Sequence, residues 1–219
     1  MDSLDSLDSL PNAKNLPNLL NEMVDFLQNQ NLTLSKTSRD GRINSAFNED
    51  EIFTLLEANF AEVKRPNMRD WVDFSFEENG QFYPVNIKVS TTHTTDNLNC
   101  KLGIYYALTG EIPPFSNGVD WESYFRTLRE NLKPNPKDYY FLIVNKEDCS
   151  DIFATSLKRL KHIIPNGNNL PFQAKWDANR EIVIRDFESA KDFLLGVFEK
   201  SLKLRADAYL SYKRYFCES

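Results

Sequence analysis

Residues 71–90, WVDFSFEENGQFYPVNIKVS, decide the fold. Two stretches of β-forming residues, 71–78 and 81–90, flank Asn79-Gly80, and Asn-Gly between alternating runs is the strongest short-range signal for a two-residue hairpin turn. Such a turn makes Glu78 and Gln81 partners and sets Asp73 directly opposite Asn86. Opposed residues share a face, and the strand period of two brings Lys88 onto it as well. The other face carries Val72, Phe74, Phe76, Val85, Ile87 and Val89. One side of the ribbon therefore packs into a core, while the other presents an acid, an amide and an amine close together. Pro84, with no N–H to give, predicts a bulge or a stretch that does not donate to the ladder.

Outward from the hairpin, apolar residues at helical spacing predict a helix from Leu16 (Leu19, Leu20, Met23, Val24, Leu27). A second is expected to begin at Asn48 (Ile52, Leu55, Leu56, Phe60) and to end before Pro66. Downstream, a polar segment at 90–99 leads into helices at 102–108 and 119–131. The near-continuous apolar run DYYFLIVN at 138–145 suits a central strand covered on both faces. A helix at 150–164, short strands at 173–176 and 181–185, and a long helix at 188–215 complete the expectation. Together these imply an α/β chain of the α+β kind, with a mixed central β-sheet flanked by helices. A frayed tail at 1–14, built on the repeat DSL-DSL-DSL, precedes a single domain at 15–219.

Composition narrows the function. At 219 residues with 41% hydrophobic and 13% aromatic residues the chain supports one sizeable core. Three scattered cysteines make neither a disulfide framework nor a thiolate zinc site, and two histidines are too few for a His-rich metal centre, so a reducing cytoplasm is expected. No run is long and apolar enough to span a membrane. The net charge of -6 argues against nucleic acid when taken whole, but residues 151–219 carry 12 Lys and Arg against 9 Asp and Glu. The acidity is local to the earlier part.

An acid, a short apolar strand and then acid-x-Lys is the arrangement that phosphodiester hydrolysis uses, and this chain matches it but for the amide at position 86. Carboxylates hold Mg²⁺, and a lysine positions or activates the attacking water. Here the sequence resembles the PD-(D/E)XK nucleases, particularly the type II restriction endonucleases. The spacing Asp73…Asn86-Ile87-Lys88 fits that family, and KVSTTHT…KLGIYYAL looks like the stretch in which a Thr-rich recognition loop follows the catalytic lysine. The likeness covers residues 41–108.

That resemblance implies a restriction-endonuclease-like fold and Mg²⁺-dependent, site-specific cleavage of double-stranded DNA by a homodimer. It further implies Asp73 as main metal ligand, residue 86 as second ligand, Lys88 as water-orienting cation and Glu51 as accessory acid at the metal. Two positions depart from the family pattern: Val72 replaces a proline, and Asn86 replaces the second acid, bringing an oxygen but no charge. Another acid could supply the charge, the chain could be a DNA-binding relative that does not cut, or Asn86 could stand for an Asp exchanged to suppress cleavage. The intact Lys88 favours the last. A nicking or repair endonuclease of the same fold is the other alternative.

For base contact the candidates are Ser90, Thr91, Thr92, His93, Thr94, Thr95, Asn97, Asn166, Asn168, Asn169 and Gln173, whose short hydroxyls and amides suit base edges. Lys158 and Arg159 are candidates for phosphate contacts. Each has a plainer alternative: Asp73 and Lys88 as a surface pair, Glu51 as the far end of a capping box with Asn48, and the amide-rich loops as turns.

Overall fold

In a computed structural model, residues 16–30, 32, 34, 41–67, 70–116 and 118–217 are described, side chains at 41–47 excepted. The expected tail at 1–14 lies outside them. The order is α1 (Asn18–Gln28), α2 (Gly41–Asn59), β1 (Phe74–Glu78), β2 (Gln81–Ser90), β3 (Thr95–Leu98), α3 (Lys101–Thr109), α4 (Trp121–Asn131), β4 (Tyr140–Asn145), β5 (Ile152–Ser156), β6 (Ile164–Pro165), β7 (Phe172–Lys175) and α5 (Phe187–Phe216). This is the expected mixed sheet with helices. No helix among the described residues is long and apolar enough to cross a membrane.

The four-stranded sheet runs β1-β2-β4-β5; β2 and β4 are parallel, and β1 and β5 are antiparallel to their neighbours. Its turn is the expected one. Asn79 and Gly80 take φ of 53° and 73°, the left-handed pair that a tight hairpin requires, and Phe74 faces Val85 while Glu78 faces Gln81. Pro84 sits opposite Ser75 in unbroken register, so no bulge forms, and pairing with β4 begins only at Val85.

Strand alternation splits the molecule into two cores, one on each face of this sheet. Val85, Ile87, Val89, Tyr140, Leu142 and Val144 pack with Leu20, Met23 and Leu27 of α1 and Ile52, Phe53 and Leu56 of α2. On the other face Phe141 and Ile143 pack with α3, α4 and α5 through Leu102, Tyr105, Tyr124, Leu128, Leu194 and Phe198. Asp120 and Asp186 accept the Ser123 and Ser189 N–H groups at 2.9 and 2.7 Å and so start α4 and α5. Gly110, with φ of 72°, ends α3.

Three expectations fail. Residues 150–164 do not form a helix: β5 pairs with β4 from Tyr140–Ser156 to Val144–Ile152, followed by a single 3-10 turn and β6. Apolar residues there recur at helical spacing, but β4 offered an unpaired edge and the β-branched Ile152 and Thr155 took it. Residues 181–185 form no strand, and Val183 N–H meets Arg159 O at 3.0 Å instead. The polar segment at 90–99 contains β3, which pairs with β7 in a second sheet of order β3-β7-β6. Helix α2 also begins at Gly41, seven residues before Asn48, so Asn48 and Glu51 form no capping box.

Gly103 lets α3 lie against the start of β4, for an added Cβ would stand 2.6 Å from the Tyr139 ring. Gly103→Ala should therefore destabilise the protein by about 1–3 kcal/mol through overpacking, seen as a lower urea midpoint with an unchanged slope.

Candidate active site

Asp73 stands one residue before β1, where the ladder ends at the Phe74–Val85 pair, and its N–H donates to Val85 O at 3.0 Å, which tethers it to β2 just outside the regular register. Its Oδ2 accepts two hydrogen bonds from β2, from Asn86 Nδ2 at 2.5 Å and from Ile87 N–H at 2.7 Å. The acid and the amide thus meet through their side chains, although Asp73 itself lies just outside the strand ladder. Lys88 follows two residues along the same face, opposite Ile143 of β4. All three line a cleft of about 410 Å³ together with Glu49, Asp70, Trp71, Asn99, Cys100, Lys101 and Tyr139.

The acid that α2 brings to this cleft is Glu49, not Glu51. Residues two apart on a helix lie about 200° apart around its axis, so they cannot share a face. Glu49 belongs with Ile52, Phe53 and Leu56 on the stripe that packs against the sheet, whereas Glu51 is exposed. The signal was present in the sequence: an acid standing on an apolar stripe.

Burial pushes Glu49 up to about 7; Lys88 opposes the rise, Asp73 and Asp96 add to it, and the Val89 N–H stabilises the ionised form. Asp73 is also raised, by burial first, against the hydrogen bond from Ile87 and the charge of Lys88. These two carboxylates are held together at an energetic cost that a cation in the cleft would offset. Burial pushes the Cys100 thiol up to about 12, so it remains a neutral wall group and no nucleophile. Tyr139 donates its hydroxyl to Trp71 O at 2.9 Å and fixes the cleft floor. Among the described residues no group of three or more His, Cys, Asp and Glu side chains forms a ready metal cage.

Of the residues expected to touch DNA, three amides meet beside the cleft. Asn166 Nδ2 donates to Asn97 Oδ1 at 2.8 Å and to Gln173 Oε1 at 3.3 Å. Its own Oδ1 accepts the N–H groups of Asn168 and Asn169 at 3.0 Å each. Asn97 precedes Leu98 of the cleft wall on β3, and because neighbours on a strand point to opposite faces, the amides lie next to the cleft and not inside it. His93, Thr94 and Thr95 are exposed and Ser90 is half-buried at the end of β2.

Four of the expected contacts are corrected. Thr91 and Thr92 are buried, so no base edge reaches them. Lys158 donates to the carbonyls of Asn135 and Lys137 at 3.1 and 2.6 Å, and burial lowers its pKa while the charge of Asp138 opposes that shift. Arg159 is buried as well. Both serve the fold rather than a phosphate, because the expected surface helix at 150–164 is a strand and turn folded against the core.

Between the ordinary glutamate range and about pH 7 the folded chain keeps a proton on Glu49 that the unfolded chain has released, so stability falls as pH rises through that window. Glu49→Gln should leave stability unchanged at about pH 4 and raise it by about 1–3 kcal/mol at about pH 8, after discounting for partial exposure. Urea melts of the two proteins at both pH values check this.

Among known proteins, no family model matches the chain and no curated protein matches it significantly, so the chemistry of the cleft is argued from its own residues.

Proposed function

We propose that the chain is a Mg²⁺-dependent endonuclease of the type II restriction kind, hydrolysing phosphodiester bonds of double-stranded DNA at a specific short site. It acts in the cytoplasm as a homodimer, which presents one cleft to each strand of a two-fold symmetric site. The observation that carries this is the meeting of Asp73, Asn86 and Lys88 on one strand-pair face with Glu49 from α2, in one cleft.

The donor set suits the metal. Mg²⁺ takes oxygen ligands, keeps several waters and needs only one or two carboxylates from the protein. Asp73 and Glu49 would provide the anionic oxygens and Asn86 a neutral carbonyl oxygen. Glu49 thereby restores the charge that Asn86 lacks, so another acid is the explanation of position 86 that the cleft supports. When bound, Mg²⁺ polarises the scissile phosphate and acidifies a bound water.

The chain's own groups do the rest. Ile87 N–H and Asn86 Nδ2 aim Asp73 by holding one of its oxygens, leaving the other for the cleft. Lys88 places a positive charge beside the attacked phosphate and orients the water. Glu49, raised by burial, would release its proton as a cation enters and so help draw Mg²⁺ into the cleft. The amides of Asn97, Asn166 and Gln173 offer base-edge partners on a surface next to the cleft.

Asn86 donating to Asp73 also satisfies that carboxylate's hydrogen bonding without metal, which suits a relative that binds DNA and does not cut. Plasmid digestion separates the two. With Mg²⁺ the chain should cleave, and Asp73→Ala, Lys88→Ala and Glu49→Gln should each lower the rate by about 100-fold or more, while duplex binding in Ca²⁺ persists. The Mg²⁺ concentration needed should rise as pH falls below about 7, because a proton on Glu49 competes with the metal, and Glu49→Gln should lack that dependence. Cleavage by neither the chain nor Asn86→Asp, with duplex binding intact, would favour the non-cutting relative. Absence of binding to any duplex would overturn both.

A further inference from the structure

The second half of α5 leaves the body of the protein. Ser201 is its last buried residue, and every side chain from Lys203 to Cys217 is exposed. Six of the nine large apolar side chains exposed among the described residues lie on this stretch: Leu204, Tyr209, Leu210, Tyr212, Tyr215 and Phe216. Such a concentration of apolar surface marks an interaction site, and a projecting helix of about four turns is marginal in water without a partner.

The pattern around the helix is ordered. Arg205, Tyr209, Tyr212 and Phe216 follow the four-three-four spacing of a seam between paired helices, whereas Lys203, Asp207, Ser211 and Arg214 recur on the opposite face. The seam is already shaped at both ends. Tyr212 and Phe216 stack at 5.1 Å, and Arg205 is held by the carbonyls of Gly167 and Asn168 at 2.8 Å each.

We infer that this seam docks on a second copy of the chain, α5 lying antiparallel to α5 about a two-fold axis between Leu210 and Ser211. The spacing is self-complementary in that register, as a two-fold contact requires. Tyr209 falls opposite Tyr212 of the partner subunit, and Arg205 falls opposite Phe216 of the partner subunit, a guanidinium over an aromatic ring. The seam carries no acid to repel its copy. With Tyr215 at its edge, the seam's three aromatic side chains expose roughly 500 Å² per chain, the scale of a small interface beside the roughly 800 Å² per partner of a standard one. A lipid or phosphate surface would call for a basic face, whereas the outer face here is mixed in sign and Lys203 is paired with Glu199 at 2.8 Å.

This contact would supply the two copies that the proposed nuclease calls for, yet it stands without DNA or metal, so its test uses neither. Sedimentation velocity of the full chain under reducing conditions, at micromolar concentration, should show a dimer. Tyr209→Glu and Tyr212→Glu should each weaken it by about tenfold or more, with the cooperative unfolding of the body retained because both side chains are exposed and lie outside its cores. Ser211→Glu, on the outer face, should leave it intact. A chain that stays monomeric at every concentration, or a dimer indifferent to both seam variants, overturns the assignment. So does a monomer that co-sediments with phosphatidylserine vesicles through the same tyrosines, which would give the face to a lipid surface.

Discussion

With Glu78 facing Gln81 and Phe74 facing Val85, the β1–β2 hairpin allots every side chain on its two strands to one of two environments. A slip of one residue would exchange the faces, driving Asp73, Asn86 and Lys88 into the core beneath α1 and α2 and expelling Phe74, Val85 and Ile87. That alternative is closed by the positive φ of Asn79 and Gly80 at one end and by burial at the other. Because β4 pairs with β2 from Val85 to Ser90, the same register also aligns the central strand and both cores.

The cleft works against the stability of the fold that holds it. Glu49 and Asp73 are carried into partial burial, each raised above its ordinary range, with Lys88 as a compensating charge. A structural ion pair would need no third acid nearby and no open space beside it. Charged groups gathered at a cost around a cleft are a common mark of a working site. The neutral amide at position 86 belongs to the same balance, because it bonds to Asp73 where a carboxylate would repel it.

The small second sheet links the cleft to the rest of the molecule. β3 leaves the cleft wall at Leu98 and pairs with β7, whose Gln173 meets Asn166. Asn166 N–H is in turn held by Ser201 of α5 at 2.9 Å, and Arg205 grips the same loop. One continuous set of contacts thus runs from the cleft, through the amide surface, to the start of the projecting half of α5.

The sequence by itself determined the elements whose signals are local. The hairpin was legible because Asn-Gly turn chemistry and strand alternation act between neighbours, and with it came the shared face of Asp73, Asn86 and Lys88. The central strand at 140–145 and the long final helix were legible for similar reasons. Tertiary structure alone decided the others. β5 has a helical apolar spacing and became a strand because an edge of β4 was there to be paired. Lys158 and Arg159 then went inward with it. Glu49 rather than Glu51 reached the cleft because helix phase, set by how Ile52, Phe53 and Leu56 dock on the sheet, chooses which acid faces inward. Turn chemistry and alternation are properties of a few adjacent residues, whereas helix phase, edge pairing and burial depend on surfaces that exist only once the chain has closed on itself.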